Sequence, residues 1–317
     1  MTLEEYNQDL QTHHLSEPQR RWGSTWTDEK LDAFEKYVKA YLTILNKFKR
    51  QFGWRTVYID AFAGSGSCGE EDLTGNDGSQ SLFDPDVIED FTIDDSYRGA
   101  AERVLGIEGL DPFDYYFFID KKKDAIEGLE QMLREKNYLS GRNCYFSCTD
   151  ANDQLRKISE SLSKSTDRAL ALLDPFGMQV EWSSIEALSR THCDLWILVP
   201  SGVIINRLIK RDGTLLYPDK LTKFFGLSED EICEIFYKKR VRKSLFEEVE
   251  DMVKISNATM QIAMVYLTQL KKVFEFVIDE PLVLYNRRNV PIFHFVFASH
   301  NETAKKIASE IIARKKG

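Results

Sequence analysis

Apolar and polar positions along this chain fall into two alternating patterns. In "TDEKLDAFEKYVKAYLTILNKFKRQFG", residues 27–53, Leu31, Phe34, Val38, Tyr41, Leu42 and Leu45 recur every three or four places, which predicts a long helix with one buried face. Thr27 or Asp28 can cap its start and Gly53 can end it. "RTVYIDAF" is then a short continuous apolar run, the mark of a strand buried on both faces. The same two patterns follow in turn. "DYYFFID", "RNCYFSCTD", "RALALLDPFGMQ" and "CDLWILVP" read as strands, and "SYRGAAERVLGI", "KKDAIEGLEQMLREKN", "ANDQLRKISESL" and "SSIEALSRT" as the helices between them.

Strand and helix alternating with short polar breaks predict an α/β protein, a mostly parallel, doubly wound sheet. Residues 1–26 are polar and aperiodic and read as a flexible arm before the core, whose first part is 27–202. Residues 203–255 leave the pattern and read as a charged helical insertion for substrate or partner. Residues 256–317 complete the core with the helix "NATMQIAMVYLTQLKKV", two strands joined by "DEPLVLYNRRNVP", and a last helix. A terminal hairpin of this kind lets the final strand enter the sheet antiparallel. Residues 67–96, rich in Gly, Ser, Asp and Glu, are either a functional loop or a disordered segment.

Four predicted strands end in an aspartate: Asp60, Asp120, Asp150 and Asp174. In open α/β sheets ligands bind outside the carboxyl ends of the strands. A lone carboxylate there often caps the next helix; four in series on one edge suggest a ligand rich in donors. S-adenosylmethionine is such a ligand. Gly64 and Gly66 of "DAFAGSG" offer turn N–H groups to its carboxylate, and Asp60 offers an acceptor for its ammonium. Asp120 suits the ribose diol and Asp150 the adenine amino group. Neighbouring Ala61, Phe62, Lys121 and Ala151 complete the expected cofactor set. NAD fits less well: no helix signal follows the glycines, Glu70, Glu71 and Asp72 would repel a pyrophosphate, and the next acidic strand end lies 54 residues beyond Gly66.

The second signal is "LLDPFGMQVEW". Asp174, Pro175, Phe176 and Gly177 resemble the D-P-P-Y/F loop of methyltransferases acting on exocyclic or side-chain nitrogens, with one proline in place of two. In that loop an acidic or amide side chain accepts from the target NH2 and the ring stacks on a planar substrate. A strand-ending turn with a core phenylalanine is the simpler alternative. Gln179, Glu181, Trp182, Asn206 and Arg207 follow closely enough to be substrate candidates.

"KLDAFEKYVKAYLTIL", "YIDAFAGSGS", "YYFFIDKKKDAIEGLE" and "LLDPFGMQVEWSSIEALSRTHCDLWILVPSGVIINRLI" together resemble the three-Cys-motif partner proteins, which are similar to class I S-adenosylmethionine-dependent methyltransferases. The resemblance runs through most of residues 27–210. It implies a Rossmann-like class I methyltransferase fold, a cofactor turn at Asp60, Gly64 and Gly66, a ribose contact at Asp120, a catalytic loop at Asp174–Gly177, and a partner protein carrying the three cysteines. Where that family places a histidine before the helix-opening threonine, this chain has Trp26.

Bulk properties narrow this only slightly. A net charge of −9 argues against general attraction to nucleic acid, although the basic run "KKRVRK", 238–243, is a candidate local contact. The five cysteines, with no C-x-x-C pair, read as thiols rather than a metal site, so no metal is expected. No apolar run is long enough for a membrane span and the first residues lack a signal core, so the expected compartment is the cytoplasm. The leading expectation is an N-directed S-adenosylmethionine-dependent methyltransferase. The alternatives are a non-catalytic protein of the same fold, serving a three-Cys-motif partner or nucleic acid, and an NAD-dependent oxidoreductase.

Overall fold

A computed structural model describes residues 25–64, 99–175, 177–202, 204–243, 248–286 and 288–316. The first part runs α1 (Thr25–Phe52), β1 (Arg55–Asp60), α2 (Ala100–Leu105), β2 (Tyr115–Asp120), α3 (Lys123–Glu135), β3 (Cys144–Cys148), α4 (Ala151–Ser161), β4 (Asp167–Leu173), α5 (Trp182–Ser189) and β5 (Cys193–Val199). Three short helices follow, α6 (Ile204–Leu208), α7 (Pro218–Phe225) and α8 (Glu229–Phe236). Then come the strands β6 (Tyr237–Lys243) and β7 (Glu248–Lys254). The chain ends in α9 (Ala258–Val273), β8 (Phe276–Val277), β9 (Leu282–Tyr285), β10 (Pro291–Ser299) and α10 (Glu302–Lys316).

The main sheet has the order β3-β2-β1-β4-β5-β10-β8, with β9 also paired to β10. The first five strands are mutually parallel, and β10 enters antiparallel beside β5. Sequence order reverses between β1 and β4, so the switch point, where such sheets bind ligands, lies outside the ends of those two strands. This order, five parallel strands followed by an antiparallel insertion, is that of the Rossmann-like methyltransferase fold.

Both faces of the central strands are covered, which is why these are apolar; β4 and β5 each bury every residue but one, whereas the edge strand β3 buries none. α1 lies across one face. Its Phe34 meets Tyr58 of β1 and Trp196 of β5, and its Tyr37 packs on Trp196 and on Phe297 of β10. Trp196 is fully buried, a core residue. Gly53, at φ +65°, ends α1 and turns the chain into β1.

Three expectations need correction. The boundary at 26 is too late for the arm: Thr25 already begins α1, and Trp26 is buried against Phe293, 5.1 Å between ring centroids. The 203–255 insertion is not simply helical, because its second half is the antiparallel pair β6–β7. The run "KKRVRK" therefore lies on a strand, where successive residues turn to opposite faces. Glu248 stands in register with Lys243, and Asp251 with Arg240. Backbone pairing between the two strands overrode the helical reading of the charges. Third, the predicted connection "DEPLVLYNRRNVP" contains β9, held by pairing to β10. The predicted loop 67–96 lies outside the described residues. No helix among the described residues is long and apolar enough to cross a membrane.

Candidate functional site

The site is built from β1 outward. Val57, Tyr58 and Ile59 are buried, and Asp60 closes the strand at 2% exposure. Beyond it the chain threads between its two neighbours: the Ala61 N–H donates to Leu172 O of β4, and the Ala63 N–H to Ile119 O of β2. This brings Gly64 against the end of β2. A methyl group on Gly64 would overlap Asp120 Oδ2 and lie 3.2 Å from Ala125 Cβ of α3. Only glycine permits so close an approach of backbone to carboxylate. Asp120 Oδ1 accepts the Lys122 N–H at 2.7 Å. Ala61 is buried, Phe62 packs against the core at half exposure, and Lys121 is exposed. Gly66 lies outside the described residues.

Asp150 caps α4: its Oδ1 accepts the N–H groups of Asn152 and Asp153 at 2.9 and 3.3 Å. The local capping role is thus filled by one oxygen, and any adenine contact falls to the other. The following Ala151 is buried.

At the end of β4, Asp174 receives a partner that the sequence reading did not include. Lys30 of α1 places Nζ 2.5 Å from Asp174 Oδ2. The Lys30 side chain is only 4% exposed, against 22% for Asp174. The same ammonium lies 5.3 Å from the centroid of the Trp26 ring. Asp60 is coupled to this pair. Its burial, and next the negative charge of Asp174, push its carboxyl up to about 7. The Phe62 N–H, the Tyr58 hydroxyl and the charge of Lys30 pull the other way. Tyr58 Oη donates to Asp60 Oδ2 at 3.3 Å. A signal for Lys30 was present: it lies four residues after Trp26 and four before Phe34, on the buried stripe of α1. A cation on an apolar stripe needs an anion across the interface.

The residues after Asp174 are held by a buried amide. Asn152 donates from Nδ2 to the Gln179 carbonyl and accepts the Glu181 N–H at Oδ1, both at 2.8 Å. Pro175 is buried and Gly177 half-exposed, with Ile204 Cδ1 3.9 Å from where its Cβ would be; Phe176 lies outside the described residues. Glu181 pairs with Arg156 at 3.4 Å and with Lys223 of α7 at 3.3 Å.

Two substrate candidates have partners within the fold. Trp182 is buried, meets Tyr266 of α9 edge-on at 5.8 Å, and donates from Nε1 to Glu186. Asn206 is committed to the insertion, since its backbone and side-chain oxygens both accept from Lys254 Nζ of β7. Arg207, beside it on α6, is exposed.

A cavity of about 510 Å³ opens elsewhere, lined among others by Tyr37, Tyr41, Trp54, Arg168 and Asp194. Arg168 and Asp194 stand at the starts of β4 and β5, so the cavity belongs to the opposite edge of the sheet. Asp194 accepts there from Tyr37 Oη at 2.6 Å and Ser299 Oγ at 2.5 Å, while burial raises its carboxyl above the usual range. Its polar groups are engaged in joining α1 to β5 and β10, and the switch point remains the candidate site.

No family model matches the chain, and no curated protein matches it by sequence. Among solved structures it is similar to a conserved hypothetical protein of Streptococcus pyogenes, at 11% identity over 67% of this chain and 94% of that one, TM-score 0.26. It is similar also to a Staphylococcus aureus protein provisionally assigned as a caffeoyl-CoA O-methyltransferase, at 8% identity over 80% and 99%, TM-score 0.28. A third is the YcgJ protein of Bacillus subtilis, at 11% identity over 80% and 94%, TM-score 0.24. Overlaps this small carry no functional weight; the fold assignment stands on strand order and direction.

Proposed function

We propose that this chain is an S-adenosylmethionine-dependent methyltransferase that acts on an uncharged nitrogen. The observation that carries the proposal is the close approach of Gly64 to Asp120, beside Asp60, at the switch point of the sheet. The Asp120 carboxylate already occupies the space a Cβ at 64 would need, so glycine is what lets the turn backbone sit against that carboxylate, as a ligand held by both requires. The chemistry of the donor set fits the cofactor. Asp60 would take its ammonium, the turn after Ala63 its carboxylate, Asp120 its ribose, and the second oxygen of Asp150 its adenine amino group. The cofactor, when bound, supplies an electrophilic methyl group on a sulfonium.

The chain's own residues then have to position the acceptor and exclude water. Asp174 is the acceptor for a target N–H, with Pro175 and Gly177 shaping its turn and Phe176 as the stacking surface. Its ion pair with Lys30 has no net charge, which favours a neutral N–H over an ammonium. Gln179, Glu181 and Arg207 remain substrate candidates. The resemblance to three-Cys-motif partner proteins belongs to this proposal too, with its partner protein and a cytoplasmic setting. A nucleic-acid contact at 238–243 is part of the same proposal. The second reading is a non-catalytic protein of the same fold; the fact that Lys30 already holds Asp174 Oδ2 favours it.

Thermal unfolding with added ligand separates these readings, because a ligand that binds only the native state raises Tm with concentration. S-adenosylhomocysteine is expected to raise Tm and NAD to leave it unchanged; the reverse result overturns the proposal. Asp120→Ala is expected to weaken S-adenosylhomocysteine about tenfold or more, since a hydrogen bond to a charged group contributes about 1.5–3 kcal/mol. Asp174→Ala is expected to keep that affinity within about threefold while abolishing transfer of a labelled methyl group to cell extract. Cofactor binding without transfer in the wild-type protein would favour the non-catalytic reading.

A further inference from the structure

We propose that Lys30 is a positioning residue of the candidate site. Its ammonium fixes Asp174 through one oxygen and offsets the charge that Asp174 presses on Asp60. Asp174 is left aimed with its second oxygen, and Asp60 is left able to receive the cofactor's ammonium. The inference rests on the S-adenosylmethionine reading above.

The geometry makes Lys30 more than a packing residue. It reaches the edge from α1, 144 residues away in sequence, and its side chain is almost fully buried. A buried ion pair is a poor source of stability, because desolvation cancels most of the attraction and apolar replacements of similar size are often as stable. A lysine at 4% exposure in a stripe of aromatic residues therefore points to a task. That task is visible in its surroundings. Two carboxylates from adjacent strand ends, Asp60 of β1 and Asp174 after β4, face one another electrostatically. Carboxylates so placed do not both ionise without a counter-charge. Around Asp60 the other groups are the Tyr58 hydroxyl and the Phe62 N–H, both neutral donors, and Lys30 supplies the positive charge. On α1 itself, Lys30 faces the Trp26 ring, which also favours a cation.

The test is titration calorimetry of S-adenosylhomocysteine from pH 5.5 to 9 on the wild-type chain, Lys30→Met, Lys30→Arg and Asp174→Asn, with carboxylate 13C NMR of Asp60 in the same proteins without ligand. In the wild type, affinity is expected to rise with pH through about 7, as Asp60 ionises. Lys30→Met is expected to move that midpoint up by about one unit and to lower affinity at pH 7 about tenfold. Lys30→Arg restores both, and Asp174→Asn moves the midpoint down. A pH profile unchanged in Lys30→Met, or equal losses in Met and Arg variants with no shift, overturns the proposal. If Lys30→Met does not fold, Lys30→Gln takes its place with the same expected upward shift, and an unchanged midpoint there overturns the proposal. If the wild type binds no S-adenosylhomocysteine at any pH, the cofactor reading fails separately. The Asp60 titration in the free protein then still decides whether Lys30 governs its charge.

Discussion

At Asp60, stability and binding pull in opposite directions. An unfolded aspartate titrates near 3.9, whereas burial and the charge of Asp174 raise Asp60 to about 7 in the folded chain. The folded state therefore holds the proton more tightly. Its stabilising contribution is complete below about pH 4 and is lost as pH rises toward and through 7, an effect of a few kcal/mol at most. Asp60→Asn keeps the shape without the titration. It is expected to flatten the fall in Tm between pH 4 and 8 and to exceed the wild type in Tm at pH 8. It is also expected to bind S-adenosylhomocysteine about tenfold more weakly, the trade of function for stability usual at strained sites. A Tm profile with the wild-type slope would show that Asp60 is not the titrating group. The aspartate itself was legible, since it ends an apolar run before a glycine turn. Its coupling to Lys30 was not, because nothing local reveals which residue of a distant helix meets a strand end.

Among the elements, α5 and α7 show how a motif residue can be diverted to packing. Trp182 lies five residues beyond the "DPFG" stretch and so was a substrate candidate. Instead its ring fills the space above Gly226, the left-handed residue that ends α7 at φ +65°. A methyl group on Gly226 would overlap Trp182 Cδ1 and force an alanine into a disfavoured backbone region. Gly226→Ala is expected to destabilise the chain by about 1–3 kcal/mol, read as a lower denaturant midpoint with unchanged cofactor affinity. A change below about 0.5 kcal/mol would mean that α7 is not seated on Trp182 as described. Periodicity gave α1 and the five parallel strands because each is a local pattern of burial. It failed for β6 and β7, where dense charge resembles a solvated helix and pairing between two short strands decides the conformation.

Across the whole molecule, the two ends of the insertion are tied to each other by one half-buried ammonium. Lys254 Nζ at the end of β7 donates to the Asn206 and Ile209 carbonyls and to Asn206 Oδ1. Burial lowers the Lys254 amine from its usual value, which puts the site under charge strain that these acceptors offset. Lys254→Met would leave three acceptors without their donor. Limited proteolysis is expected to cut faster between residues 237 and 254 while the remaining fragment stays folded; uniform loss of the whole chain would show that the insertion unfolds with the sheet.

By itself the sequence determined the elements of the core and the acidic strand ends, because apolar runs, capping residues and glycine turns act within a few residues of one another. Only the tertiary structure decided that β10 takes its place beside β5, that Gly64 closes on Asp120, and that Lys30 meets Asp174. Those contacts join segments far apart in the chain. They follow from which buried faces and charges find complements once the sheet is assembled, and no local pattern encodes that choice.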